Sequence, residues 1–341
     1  MDLFSIPFLA TFFAIVISWA LFAMACSFVH EMIAQILAER GRFMKKYLFR
    51  QLEDTPNGIN WASLLYMQGP IELLSRADNK PTSDIEPKLF ATSLIESVAN
   101  SQIVKLHAPE LRNIDDNPQF VDDRNDYRNL TLYNFKAATQ VLKPSDVIEM
   151  FRQAMRAAEL NTPEPNGETE NVVYQNLVSH LENWYKEFTE RLTLWYKKKT
   201  RVRLFLLGIV LAVLVNVDSI QLFKFFNEHP DSRTAVLSFY EQKKDEYNTK
   251  AIRLQHGEVD STNKLPVDSI IKIGQSFEKD IDSLRKAAAI PVGFDHNVFR
   301  SPSHGGDIWW KILGLLISGF AASFGAPFWF DLLRRATSAK T

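Results

Sequence analysis

Three stretches of the chain are almost free of polar residues, and most of what lies between them repeats its apolar positions at helical spacing. Leu3 to Val29 carries no charge in 27 positions, and Ile312 to Phe330 carries none in 19. At 1.5 Å per residue, each is long enough as a helix to cross a hydrocarbon layer of about 30 Å. Between them lies LFLLGIVLAVLVNV, Leu204 to Val217, of 14 residues. That length alone suits a buried core helix, but the apolar character resumes after Asp218 with Ile220, Leu222 and Phe223. Between Arg203 and Lys224 the run is 20 residues with a single charge. The pattern predicts three transmembrane helices, over 3–29, 202–223 and 308–331.

The intervening segments read as helical too, which makes the chain all-α. In 30–201, VHEMIAQILAERGRFMKKYLFRQL extends the first helix into water until DTPNG breaks it. PKLFATSLIESVANSQIVKL opens on a first-turn proline with Phe90, Leu94 and Val98 on one face. KPSDVIEMFRQAMRAAEL starts with Pro144 and a Ser145 cap, and NTPEPNGETEN is a linker by composition. From Val172 a long helix carries Leu177, Leu181, Trp184, Phe188, Leu192 and Trp195 at three- and four-residue steps and runs unbroken into the second span. That stripe is expected to pack on the extension of the first helix. In 224–307 two helices are joined by a polar turn containing Gly257; Ile270, Phe277 and Leu284 recur every seven residues, offset by Ile281 and Ala288. They are expected to form an extracytoplasmic hairpin standing on the second and third spans. Residues 332–341 form a tail.

Charge sets the expected direction. Basic residues follow the first run (Arg40, Arg42, Lys45, Lys46, Arg50), precede the second (Lys197, Lys198, Lys199, Arg201, Arg203) and follow the third (Arg334, Arg335, Lys340). All three clusters share one side if the N-terminus is outside and the C-terminus cytoplasmic. The first run has no Lys or Arg before it and reads as a retained anchor rather than a cleaved leader. A net charge of −1 argues against nucleic acid as a partner. The single cysteine, Cys26, excludes an intrachain disulfide and a four-cysteine metal site.

No constellation of catalytic residues emerges. HEMIA has Ala34 where a zinc protease needs a second histidine, and no Walker, GxGxxG or GxSxG motif occurs. Asp295, His296, His304 and Asp307 are possible zinc ligands but read as a solvated loop, and DDRNDY from Asp122 lacks the glycine and glutamate of a calcium loop. No cofactor, metal or small-molecule ligand is implied. The charges at the span ends carry more weight, because an ion in a bilayer must be paired or hydrated. Asp218 is expected to pair with Lys311, and Asp331 with Arg203 and Arg201; the alternative places Asn216 and Asp218 on an ion path. Gly314/Ser318, Gly319/Ser323, Ala321/Gly325 and Ala322/Ala326 form small-residue faces for close packing against the second span, the first, or a neighbouring protomer. Pro327, after Gly325-Ala326, predicts a kink, with the Ser323 hydroxyl available to the freed backbone.

WYKKKTRVRLFLLGIVLAVLVNVDSI and ILGLLISGFAASFGAPFWFDLL resemble an uncharacterised family of bacterial inner-membrane proteins, whose members carry WYKRR, LAVLLNVD and LGAPFWFDLL at the corresponding places. HEMIA and LLYMQGPIELLSRADNKPTSDIEPKLFATSLIESVA are similar to it as well. Gln68-Gly69-Pro70-Ile71 departs from the family's more frequent HPLI, so no role of that histidine transfers. The resemblance implies a bacterial inner-membrane location and three spans, and no activity. The expected function is a non-enzymatic scaffold or coupling protein, acting through the bilayer and through self-association or a membrane partner. An oligomeric channel or pore is the alternative, and a membrane enzyme ranks third.

Overall fold

The computed structural model describes residues 7–75, 80–100, 129–160, 169–259, 267–290 and 305–338. Among these are thirteen α-helices and one two-residue strand pair, which bears out the all-α class. The chain divides into two compact units, one of Ala38–Leu194 and one of Met1–Leu37 with Trp195–Thr341.

The Ala38–Leu194 unit contains α2 (Glu39–Gln51), β1 (Glu53–Asp54), β2 (Ile59–Asn60), α3 (Trp61–Tyr66), α4 (Gly69–Glu72), α5 (Pro87–Asn100), α6 (Leu130–Val141), α7 (Asp146–Leu160) and the first part of α8 (Thr169–Val215). DTPNG is the turn of an antiparallel hairpin pairing Glu53 with Asn60 and Asp54 with Ile59, closed by Gly58 at φ 66°. The buried Asp54 carboxylate accepts from Asn57 Nδ2 at 2.9 and 3.0 Å and from Trp61 Nε1 at 3.2 Å. Helix starts follow side-chain caps: Asn60 Oδ1 accepts from the Ser63 N–H, Asn129 Oδ1 from Leu132, and Ser145 Oγ from Ile148. The core is aromatic, built on Trp61, Phe90, Phe135 and Phe151. Phe90 of α5 stacks on Tyr185 of α8 with centroids 4.0 Å apart, so α5 covers the aromatic stripe; the Tyr185 hydroxyl reaches Met44 of α2 at 3.9 Å. The first helix does not extend unbroken to Gln51: α1 ends at Ile36, and Ala38, at φ 46°, separates it from α2. Gln68 donates to Ser97 Oγ at 3.1 Å.

The other unit is arranged around α1 (Pro7–Ile36). Packed with α1 are the end of α8, α9 (Ser219–Glu228), α10 (Pro230–Val259), α11 (Val267–Ala288), α12 (Gly305–Ser323) and α13 (Ala326–Ser338). Among the described residues, only α1 is by itself long and apolar enough to cross a membrane. The count reaches three if each of two bent pairs is one span: α8 with α9, bent by 54°, and α12 with α13, bent by 86°.

The hairpin of α10 and α11 forms, and Ile270, Leu284 and Ala288 of its heptad positions are buried. Its location differs from the expected one. It does not stand beyond the spans: α10 lies along α1, with Arg233 Nη1 donating to Thr11 Oγ1 at 3.0 Å near one end. Farther along, Tyr247 of α10 stacks on Phe330 of α13 with centroids 6.0 Å apart. Helix α10 also continues past Gly257 to Val259. The reason is α1 itself, a helix buried round most of its circumference, which needs more neighbours than the apolar segments alone provide.

Candidate functional site

Two helix breaks carry nearly all the residues singled out in the apolar unit. The first is Asn216-Val217-Asp218. Asn216 takes the left-handed conformation at φ 54°, while the Val217 N–H bonds the Ala212 carbonyl at 2.9 Å and the Asn216 N–H bonds that of Val213 at 3.4 Å. This is a Schellman C-terminus with asparagine in the glycine position. Asp218 then starts α9: its Oδ1 accepts from the Ile220 N–H at 2.9 Å and the Gln221 N–H at 3.2 Å. Asn216 and Asp218 are both buried. The cost of burying a carboxylate is offset by two charge-assisted hydrogen bonds and the positive end of a helix dipole.

This changes the expected pairing. The Asp218 carboxylate serves as a cap and does not bind Lys311. It lies against Gly314, where an added Cβ would fall 1.8 Å from Oδ1. Lys311 is half-buried one turn earlier on α12.

Next to the cap, three helices are joined by a one-way chain of donors. Trp19 Nε1 of α1 donates to Ser219 Oγ of α9 at 2.9 Å, and the Ser219 and Ser318 hydroxyls are 2.7 Å apart. Ser318 Oγ donates its proton to the Gly314 carbonyl at 3.1 Å, so the proton between the two serines belongs to Ser219. The small-residue face of α12 seats against α8: Cβ atoms added at Gly208 and Gly319 would lie 2.8 Å from Ala322 Cβ and 2.5 Å from Ile209 Cγ1. Of the partners open in the sequence, the second span receives these glycines, and α12 packs on the first span as well.

The second break is Phe324-Gly325. Helix α12 ends at Ser323, Gly325 takes φ 77°, and α13 leaves at 86° with Pro327 as its second residue. The expected kink is therefore nearly a right angle. The Phe324 N–H turns to the Ala321 carbonyl at 3.4 Å, and the Phe320 carbonyl it leaves accepts the Ser323 hydroxyl at 2.6 Å. Trp329 Nε1 folds back onto the Ala321 carbonyl at 2.8 Å, and its ring lies 5.1 Å from that of Trp19. The sequence gives no role to Trp329 by itself; an indole two residues after a helix-starting proline was the available signal of this inward turn.

Asp331 does not reach α8. It pairs with Arg334 and Arg335 of its own helix, each at 2.7 Å, because i,i+3 and i,i+4 partners need no approach of a second helix. Of the predicted α8 cations, Arg201 stands beside the bend, sharing with Gly325 and Pro327 the lining of a cavity of about 160 Å³, and Arg203 is half-buried on the same helix. A second cavity, of about 240 Å³, lies among α1, α9 and α11 and is walled largely by apolar side chains such as Leu21, Phe22, Leu222 and Phe277. Asp295, His296, His304 and DDRNDY lie outside the described residues.

Comparison with known protein families, with curated proteins and with solved structures finds no match.

Proposed function

We propose that the chain is a non-enzymatic membrane protein, a scaffold or coupling component, whose α1-centred unit is embedded in lipid and whose Ala38–Leu194 unit is a water-facing helical domain. The observation that carries this reading is the outward placement of large apolar side chains on two neighbouring helices. Val202, Leu206, Val210, Val213 and Leu214 on α8 are exposed, as are Trp309, Trp310, Leu313, Leu316 and Phe320 on α12. A surface of that kind in water marks a place where something apolar belongs. Its ends carry tryptophans and lysines, as at a membrane interface. The resemblance in sequence adds a bacterial inner membrane, with the N-terminus outside and the C-terminus inside.

The test is cysteine accessibility in sealed vesicles, in a Cys26→Ala background. Lys340→Cys is expected to react from the cytoplasmic side only, and Trp309 and Trp310 fluorescence to be quenched by brominated lipid. Unquenched tryptophans would overturn the reading.

An oligomeric channel is the second reading. It draws support from α10, which lies along α1 yet carries the exposed ion pairs Lys243–Glu246 and Lys244–Glu241 and a third, Lys250–Glu246, whose lysine is less exposed. A lumen is the setting in which such a helix lies at membrane depth. Because Asp218 is a cap, its replacement must separate charge from structure. Asp218→Asn keeps a cap and removes the charge, so conductance lost in Asp218→Asn with unchanged thermal stability assigns the carboxylate to an ion path. Conductance lost only in Asp218→Ala, with a stability drop of about 0.5–2 kcal/mol, assigns it to structure.

A further inference from the structure

The right-angle turn after α12 closes the 160 Å³ cavity against α8 and α1. Lys197, Thr200, Arg201 and Leu204 line it from one face of α8, at the i, i+3/i+4, i+7 spacing that brings side chains together. Ser27 lines it from α1, and Gly325 and Pro327 from the N-terminus of α13.

Three observations converge on what it holds. Lys197 and Arg201 make no ion pair among the described residues, and the acid nearest in sequence to the bend, Asp331, is held by Arg334 and Arg335. Ser27 and Thr200 are 6% and 5% exposed, and neither hydroxyl has a hydrogen-bond partner among the described residues. Both residues line the cavity, so their hydroxyls are available to whatever fills it. Finally, a 13-residue helix begins at the wall, and the positive end of its dipole faces the cavity from behind Pro327.

Two cations, two hydroxyls and a helix N-terminus all favour an anion with several acceptor oxygens. At about 30 Å³ for each liquid water, the space suffices for a phosphate group. We propose that this cavity binds a phosphate group. The exposed rings of Phe324 and Phe328 beside it suit the apolar body of a phospholipid, whose headgroup supplies the same chemistry as a free phosphate.

The experiment uses the full chain, purified in a phosphate-free buffer and an uncharged detergent. In one arm inorganic phosphate is titrated against thermal unfolding, with chloride at matched ionic strength as the control. In the other, the protein is reconstituted with phosphatidylglycerol or with phosphatidylcholine, and retained lipid is counted by native mass spectrometry.

Stabilisation by phosphate, retention of lipid, or both is expected, weakened about tenfold or more in Arg201→Gln and unchanged in the remote Lys244→Gln. Arg201→Lys controls for folding and retains most of the binding. The double variant Ser27→Ala with Thr200→Val is expected to weaken binding without destabilising the empty protein; a merely structural pair of hydroxyls would cost stability and leave binding unchanged. Retention of lipid without a response to free phosphate identifies a headgroup site, and the converse a soluble phosphate site. The proposal is overturned if neither arm responds, or if Arg201→Gln responds as strongly as the parent.

Discussion

In the Ala38–Leu194 unit the largest described side chains lie inside, Trp61, Phe90, Phe135 and Phe151 among them, and Asp54 is a buried acid held by Asn57 and Trp61. In the α1-centred unit many of the large side chains lie outside, and alanines and glycines fill much of the interior: Ala14, Ala20 and Ala23 on α1, Gly208 and Ala212 on α8, Gly319, Ala321 and Ala322 on α12. The first arrangement draws its stability from removing apolar area from water. The second brings helix backbones close and ties them with hydroxyls and indoles, which suits a solvent as apolar as the side chains themselves. One chain thus holds two solutions to burial, and the contrast is the one that the proposed lipid setting of the α1-centred unit calls for.

The comparison breaks if matched substitutions behave alike. Trp61→Ala should have the largest effect, destabilising by about 3–5 kcal/mol. Its counterpart Leu206→Ala, at an exposed position, should stay within about 0.5 kcal/mol in detergent. Equal losses in denaturant melts would mean that the exposed face of α8 is covered by protein. Next comes Gly319→Leu, which forces a side chain into Ile209 and should cost about 1–3 kcal/mol or separate α12 from α8. An unaffected melting temperature would show that the small-residue contact contributes nothing.

The smallest effect is a pH dependence. Tyr247 is buried and donates to Asp280 Oδ2 at 3.0 Å; burial first, and then the neighbouring carboxylate, push its phenol well above the usual value. Burial likewise pushes Tyr240 up to about 12. A raised folded-state pKa means the contribution is intact below the unfolded value of about 10 and is lost as pH rises above it. Thermal stability should therefore fall across pH 10 to 12, by up to about 1.4 kcal/mol per unit for each tyrosine. Tyr247→Phe should make that decline shallower, and an unchanged slope would remove Tyr247 as its source.

Local signals in the sequence were reliable where the cause is local. Pro and Gly punctuation located the break at DTPNG and the Gly325 turn, Ser145 marked a cap, and the heptad positions of α11 marked its buried face. Charge pairing was not legible, because it depends on which backbone groups lack acceptors once helices break. Asp218 faces the first N–H groups of α9, closer than any lysine across a helix pair, and Asp331 has arginines on its own helix. The position of α10 was hidden for a different reason. Its mixed polarity identifies a two-faced helix, but only the lateral demand of a largely apolar α1 determines what its less polar face must cover.

The right angle between α12 and α13 has a mechanical consequence. A straight helix can slide along its axis like a piston, since its neighbours resist little beyond side-chain ratcheting. With α13 turned by 86° and Trp329 and Phe330 buried, axial travel of α12 would have to drag a sideways arm through packed surroundings. The arm acts as a flange. Rotation about the axis would sweep the same arm sideways, so any motion transmitted through this helix is restricted to tilting about the Gly325 corner.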